Sequence, residues 1–189
     1  MPIKIYVDQG HNPRDYNTGA EGNGYYEQDI TYEIGKRLYD LLASNPNFTP
    51  KLSRPTQSTI LGTTNSTSLT ERVREANAWG ADLFLSLHTN ASVNPGANGA
   101  EALIYSRSSD IAYGVATDVL EELTLVTGLR NRGVIERPGL YVLRRTSMPA
   151  VLVEMGFITN PDEAELMATS PGLFALGIYR GLLKYYGLE

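Results

Sequence analysis

The chain has 189 residues, 42% of them hydrophobic and 20% charged, with a formal net charge of −5. That length suits one domain with its own core, and the acidic balance excludes the basic stripe that nucleic acid or an anionic membrane would require. The chain contains no cysteine, which removes disulfides, thiolate metal sites and a cysteine nucleophile together.

Ile3 to Val7, IKIYV, is short and β-branched and predicts a buried strand. The polar, glycine-rich GHNPRDYNTGAEGNG that follows predicts loop. From about Tyr25 an amphipathic helix is expected, with Ile30, Ile34, Leu38, Leu41 and Leu42 on one face. FTPKLSR reads as a weak strand, and Gln57 to Ser68 as a Ser/Thr-rich surface loop. Ser68 then suits the N-cap of a helix that Gly80 closes.

Ala81 to His88, ADLFLSLH, predicts a second buried strand, and AEALIYS a third. A long helix follows, capped by Ser109 or Asp110 and ended by Gly128. Residues 128–149 look loop-rich, PAVLVEMGF predicts another buried strand, and two closing helices each carry proline near the first turn. This alternation implies a single-domain α/β fold over residues 1–189, an open, mostly parallel twisted sheet with helices on both faces. No export signal precedes the first strand and no apolar run is long enough to span a bilayer. Membrane insertion is therefore not expected, and export would use another route or a signal outside this chain.

Ligands of open α/β sheets bind beyond the carboxyl ends of the strands. Three apolar strands run out there on His11, His88 and Glu154, and these include both histidines of the chain. One histidine after a strand is usually a loop or core residue. Two histidines with a glutamate directly after VLV are a different matter, because an unpaired carboxylate ending a buried strand is costly and calls for a cation. Imidazole plus carboxylate suits zinc, whose catalytic sites use three protein ligands and keep one position open. Glu27, in the first turn of the helix that follows the His11 loop, is the leading third ligand, ahead of Glu21 and Asp8. Glu154 would then be the base, and the chemistry is metal-assisted hydrolysis of an amide or ester.

SLTERVREANAWGADLFLSLHTNA (68–91) and PAVLVEMGFITNPDEAELM (149–167) resemble the two strongest blocks of the zinc-dependent N-acetylmuramoyl-L-alanine amidases, amidase type 3 family. The opening VDQGH fits a further landmark, and the resemblance covers essentially the whole chain. It implies one zinc ion per chain on His11, Glu27 and His88, Glu154 as catalytic glutamate, and cleavage of peptidoglycan between N-acetylmuramic acid and L-alanine. It also implies an extracellular or cell-wall setting. Asn90 is expected to brace the His88 loop. Where the family usually reads D-P-G-H-G-G, this chain has Gln9 and Asn12-Pro13, a change expected to stiffen the loop after His11 and to bear on substrate fit.

Arg130, Arg132, Arg137, Arg144 and Arg145 crowd residues 128–149 of an acidic chain, and Arg132 is chosen among them as the contact for a stem-peptide carboxylate. Two other readings are weighed, a different zinc hydrolase such as a carboxypeptidase or deacylase, and a wall-binding module without activity. Neither accounts for all four site residues and both blocks. No partner besides peptidoglycan is implied, and a monomer is expected.

Overall fold

Along Leu83–Leu87, alternate residues enter different cores: Leu83, Leu85 and Leu87 face one apolar cluster and Phe84 faces another. The same two-residue alternation separates Ile5 and Val7 from Tyr6, and Val151 and Val153 from Ala150 and Leu152. A pleated strand buried on both faces requires this, and it explains the near-continuous apolar runs in the sequence.

The computed structural model describes residues 1–189. In chain order the elements are β1 (Ile3–Gln9), β2 (Glu21–Gly22), β3 (Tyr25–Tyr26), α1 (Glu27–Ala43), β4 (Phe48–Leu52), α2 (Asn65–Trp79) and β5 (Leu83–Asn90). They continue with β6 (Ala100–Ile104), α3 (Asp110–Thr127), β7 (Asn131–Glu136), α4 (Tyr141–Arg145), β8 (Ala150–Phe157), α5 (Pro161–Thr169) and α6 (Pro171–Tyr186). Six strands form one sheet in the order β4-β1-β5-β8-β6-β7, parallel at every junction except β6 with β8. Helices α1, α3, α5 and α6 cover one face, and α2 and α4 the other. The structure therefore has the expected fold class. No single helix is long and apolar enough to cross a membrane.

Three local expectations change. The α2 helix starts earlier than Ser68: Thr64 is the N-cap, and Thr67 returns a side-chain bond to the Thr64 backbone. Thr67 completes this reciprocal cap as well as a glutamate would, so the cap lies inside the predicted loop. Ser68 is instead buried and accepts a hydrogen bond from Asn17 Nδ2 at 3.1 Å. Tyr25 and Tyr26 pair with Gly22 and Glu21, which delays α1 to Glu27.

The segment 128–149 is more ordered than expected, since it contains β7 and α4. As an edge strand interrupted by Gly133 at a φ of 90°, β7 lacks a buried apolar run, and α4 has too few residues to show a helical period.

The carboxyl end of β1 is held from α2. Arg72 Nη1 donates to Asp8 Oδ1 at 2.5 Å and to the Gln9 carbonyl at 2.7 Å, while Nη2 donates to the His11 carbonyl at 2.6 Å. The Ser86 hydroxyl donates to the other Asp8 oxygen at 2.7 Å. Both ion-pair side chains are essentially excluded from solvent. Burial by itself raises the Asp8 carboxyl, but Arg72 and the Ser86 hydroxyl outweigh it, and the group titrates below its ordinary 3.8.

Arg72→Met would strand Asp8 as a buried, uncompensated charge. A loss of about 3–5 kcal/mol in unfolding free energy is expected by urea denaturation at neutral pH. Because the native pKa of Asp8 is lowered, the pair contributes fully above pH 3.8 and less as the pH falls below it, so the gap to the variant should narrow there.

Candidate functional site

Beyond β1 the chain turns across the end of β5. A Cβ on Gly10 would lie 2.5 Å from His88 Cε1 and 2.6 Å from the Leu87 carbonyl oxygen, so only glycine allows this approach. His11 follows in the left-handed region at a φ of 69°, which a non-glycine residue adopts at a cost of roughly 1–3 kcal/mol. Its carbonyl is captured by Arg72 and also by Arg54 Nη1 at 3.0 Å. The imidazole Nδ1 lies 3.1 Å from the Asn17 carbonyl. A proton donated there leaves the Nε2 lone pair free to bind a cation.

Glu27 opens α1 and is buried. The Ala20 amide donates to Oε2 at 2.8 Å and the Thr89 amide to Oε1 at 2.9 Å. Oε2 is 3.2 Å from His11 Nε2 and Oε1 is 3.1 Å from His88 Nδ1. Burial alone would raise this carboxyl, but the hydrogen bonds to His11 and His88 outweigh it and hold it well below the carboxylate range. One donor atom from each of His11, Glu27 and His88 lies within 4.8 Å of the others. The alternatives separate clearly: Glu21 is exposed in the β2–β3 pair, and Asp8 is occupied by Arg72 and Ser86.

Glu154 stands beside this cluster. On β8 it is the register partner of His88 on β5, and on its other side it faces Glu101 on β6. One of its oxygens, Oε2, is buried and makes no hydrogen bond. Burial first, then the charges of Glu27 and Glu101, push the carboxyl up to about 8. No protein cation offsets it, so the sequence argument for a cation holds with greater force. Two imidazoles, a carboxylate and a nearby unpartnered carboxylate oxygen form a donor set that fits zinc. A cavity of about 110 Å³ adjoins His11 and His88 between α2 and α4, with Leu69, Tyr141 and Leu152 among its walls.

Arg132 lies outside the three-donor cluster. Its Nε donates to Glu101 Oε2 at 2.8 Å, Nη1 donates to the Asn98 carbonyl at 3.2 Å, and the guanidinium sits 5.0 Å from the Phe157 ring centroid. Asn90 braces as expected, through Nδ2 to Glu101 Oε1 at 3.1 Å. Glu101 itself was missed by the sequence reading. Its only signal was an acid within the short apolar run AEALI, the feature that drew attention to Glu154.

The two departures from the family pattern have structural explanations. Gln9 is buried, and its Oε1 accepts from the Arg54 amide at 2.9 Å. Asn12 is also buried and exchanges hydrogen bonds with both backbone groups of Leu61, at 2.9 and 3.1 Å. Gln9 ties the end of β1, and Asn12 the His11 loop, to the segment after β4, which agrees with the stiffening expected of these replacements.

The sequence profile of the N-acetylmuramoyl-L-alanine amidase family matches residues 5–184. The chain belongs to this family. The amidase is 35% identical over 190 residues to N-acetylmuramoyl-L-alanine amidase CwlM of Bacillus licheniformis, spanning 99% of this chain and 70% of that protein. It is 35% identical over 188 residues to the amidase LytC of Bacillus subtilis (strain 168), spanning 96% of this chain but 35% of that protein. Its fold superposes on the crystal structure of N-acetylmuramoyl-L-alanine amidase from Clostridium difficile 630 with a TM-score of 0.88. That match has 29% identity and covers 98% of this chain and 97% of the other. These relatives are hydrolases, and this amidase is an enzyme of their class.

Titration of the metal-free amidase with zinc should reach one equivalent per chain and raise the thermal denaturation midpoint. His11→Ala or His88→Ala should each abolish both effects, while Glu21→Gln keeps them. Elemental analysis and scanning calorimetry read the two outcomes.

Proposed function

We propose that the amidase hydrolyses the amide joining the lactyl group of N-acetylmuramic acid to the L-alanine of the peptidoglycan stem peptide. In this reading His11, Glu27 and His88 hold one zinc ion and Glu154 is the general base. The observation that carries it is the three-donor cluster with Glu154 in register beside His88 and one buried carboxylate oxygen unpartnered. The family supplies the class of bond; the donor set supplies the chemistry.

A bound zinc ion supplies Lewis acidity, polarising the amide carbonyl and making a water acidic enough to ionise near neutral pH. Glu154 takes a proton from the attacking water as its oxygen bonds to the carbonyl carbon. When the C–N bond breaks, Glu154 returns that proton to the departing nitrogen. The products are a free lactyl carboxylate and a new amino terminus on L-alanine. Glu27 is read as a ligand rather than the base, because each of its oxygens already accepts from a backbone amide, which fixes the carboxylate between the two imidazoles.

Arg132 is read as a substrate contact through Nη2, the guanidinium nitrogen not used by Glu101 or Asn98. A carboxylate of the stem peptide is the group it would meet. Peptidoglycan as substrate places the working enzyme at the cell wall.

Glu154→Gln should retain one equivalent of zinc and lose roughly 10²- to 10⁴-fold in turnover. Digestion of purified cell wall, followed by labelling of new L-alanine amino termini, measures the loss. Near-normal release by this variant would remove Glu154 from the base role, and wall binding by the wild type without new termini would remove the hydrolytic assignment.

A further inference from the structure

A row of ionisable side chains crosses the sheet at the level of the cluster. His88 on β5 pairs in register with Glu154 on β8, and Glu154 pairs with Glu101 on β6. From β7, Arg132 closes the row on Glu101 Oε2. Two residues before Glu154, Leu152 belongs to the core under α2, and so does Leu103, two residues after Glu101. The strand period therefore puts both carboxylates on that same face.

Carboxylates directly opposed in an antiparallel ladder lie about 5 Å apart at Cβ and repel. The two are treated very differently by the rest of the chain. Glu101 is almost fully buried, and both its oxygens are engaged, Oε2 by Arg132 and Oε1 by Asn90 Nδ2. Arg132 is itself immobilised by the Asn98 carbonyl and the Phe157 ring. Glu101 is thus a fixed negative charge that can neither swing toward the cluster nor share its hydrogen bonds. Glu154 has no such restraint on its buried oxygen. Repulsion from Glu101 on one side and a cation in the cluster on the other both turn its carboxylate the same way.

We propose that Glu101, pinned by Arg132 and Asn90, is a positioning residue that aims the Glu154 carboxylate at the His11–Glu27–His88 cluster. This inference rests on the reading of Glu154 as the base. It also gives Arg132 a task that does not depend on substrate, since its ion pair holds Glu101 in place.

Glu101→Gln preserves side-chain length and can still accept from Arg132, but removes the charge. On a soluble muramoyl-peptide, kcat should fall roughly 10- to 100-fold, the scale expected for a misdirected catalytic group. KM, zinc content and the zinc-induced rise in denaturation midpoint should stay at wild-type values. In a Glu154→Asp background the same substitution should cost far less, because Glu101 acts through Glu154. A merely structural role would lower activity by the same factor in both backgrounds. That equality, a wild-type kcat in Glu101→Gln, or loss of zinc from it would each overturn the inference. If Glu101→Gln does not fold, Arg132→Gln releases Glu101 and is run through the same cycle at saturating substrate, with the same expectations for kcat. Full activity in Glu154→Gln would take down the base assignment and this inference together, whereas the other outcomes remove this inference alone.

Discussion

Arg72 ties together three parts of the molecule at one buried point: the α2 helix, the carboxyl end of β1 and the loop that carries His11. Its guanidinium meets the Asp8 carboxylate and the carbonyls of Gln9 and His11 with no solvent between them. A lysine could not do this, since its single ammonium lacks the planar fork that reaches several acceptors at once. Arg54 reinforces the clamp from the other side, donating to the carbonyls of His11 and Gln28. Two buried guanidiniums so near each other oppose one another, and burial together with Arg72 brings Arg54 down to about 10. Asp8, the carbonyls and the Tyr32 ring 5.3 Å away compensate. The left-handed backbone at His11 persists because both its carbonyl and its imidazole are held.

With that loop in place, the site is built from negative charge. Glu27, Glu154 and Glu101 converge around two imidazoles, and only Glu101 has a protein cation as its partner. Such a concentration of buried acid destabilises an empty protein and favours a bound cation, so metal affinity and fold stability are expected to be linked. The three acids also divide the work by environment. Glu27 is held ionised by imidazole and amide donors, Glu101 has both oxygens hydrogen-bonded by Arg132 and Asn90, and Glu154 is left with high basicity. On the proposed reading, separating the properties of like groups by their surroundings lets one side-chain type serve as ligand, base and support in a single site.

The replacements at Gln9 and Asn12 show the family scaffold being held by other means. Where glycines would leave the loop free, Asn12 bonds it to Leu61, and Gln9 bonds the strand end to Arg54. The loop is stiffened, and the imidazole it carries stays in the cluster.

Much of this was legible in the sequence because it is local. Apolar strands buried on both faces announce themselves as near-continuous runs, so the polar residues that follow or interrupt them stand out: His11 just after β1, His88 near the end of β5 and Glu154 within β8, which continues to Phe157 rather than ending on the carboxylate. The end caps Gly80 and Gly128 follow from the same local rules. Tertiary structure alone decided the rest. Spacing puts Glu27 ahead of Glu21 and Asp8 without deciding among them; the contact of Glu27 with both imidazoles, the exposure of Glu21 and the capture of Asp8 by Arg72 separate the three. The β7 strand exists because β6 offers it an edge, and its own residues carry no apolar period. Glu101 faces Glu154 across an antiparallel register between chain segments about fifty residues apart. Sequence patterns report what each strand buries; which side chains meet across strands depends on order and register, and those are set by the packing of the whole sheet.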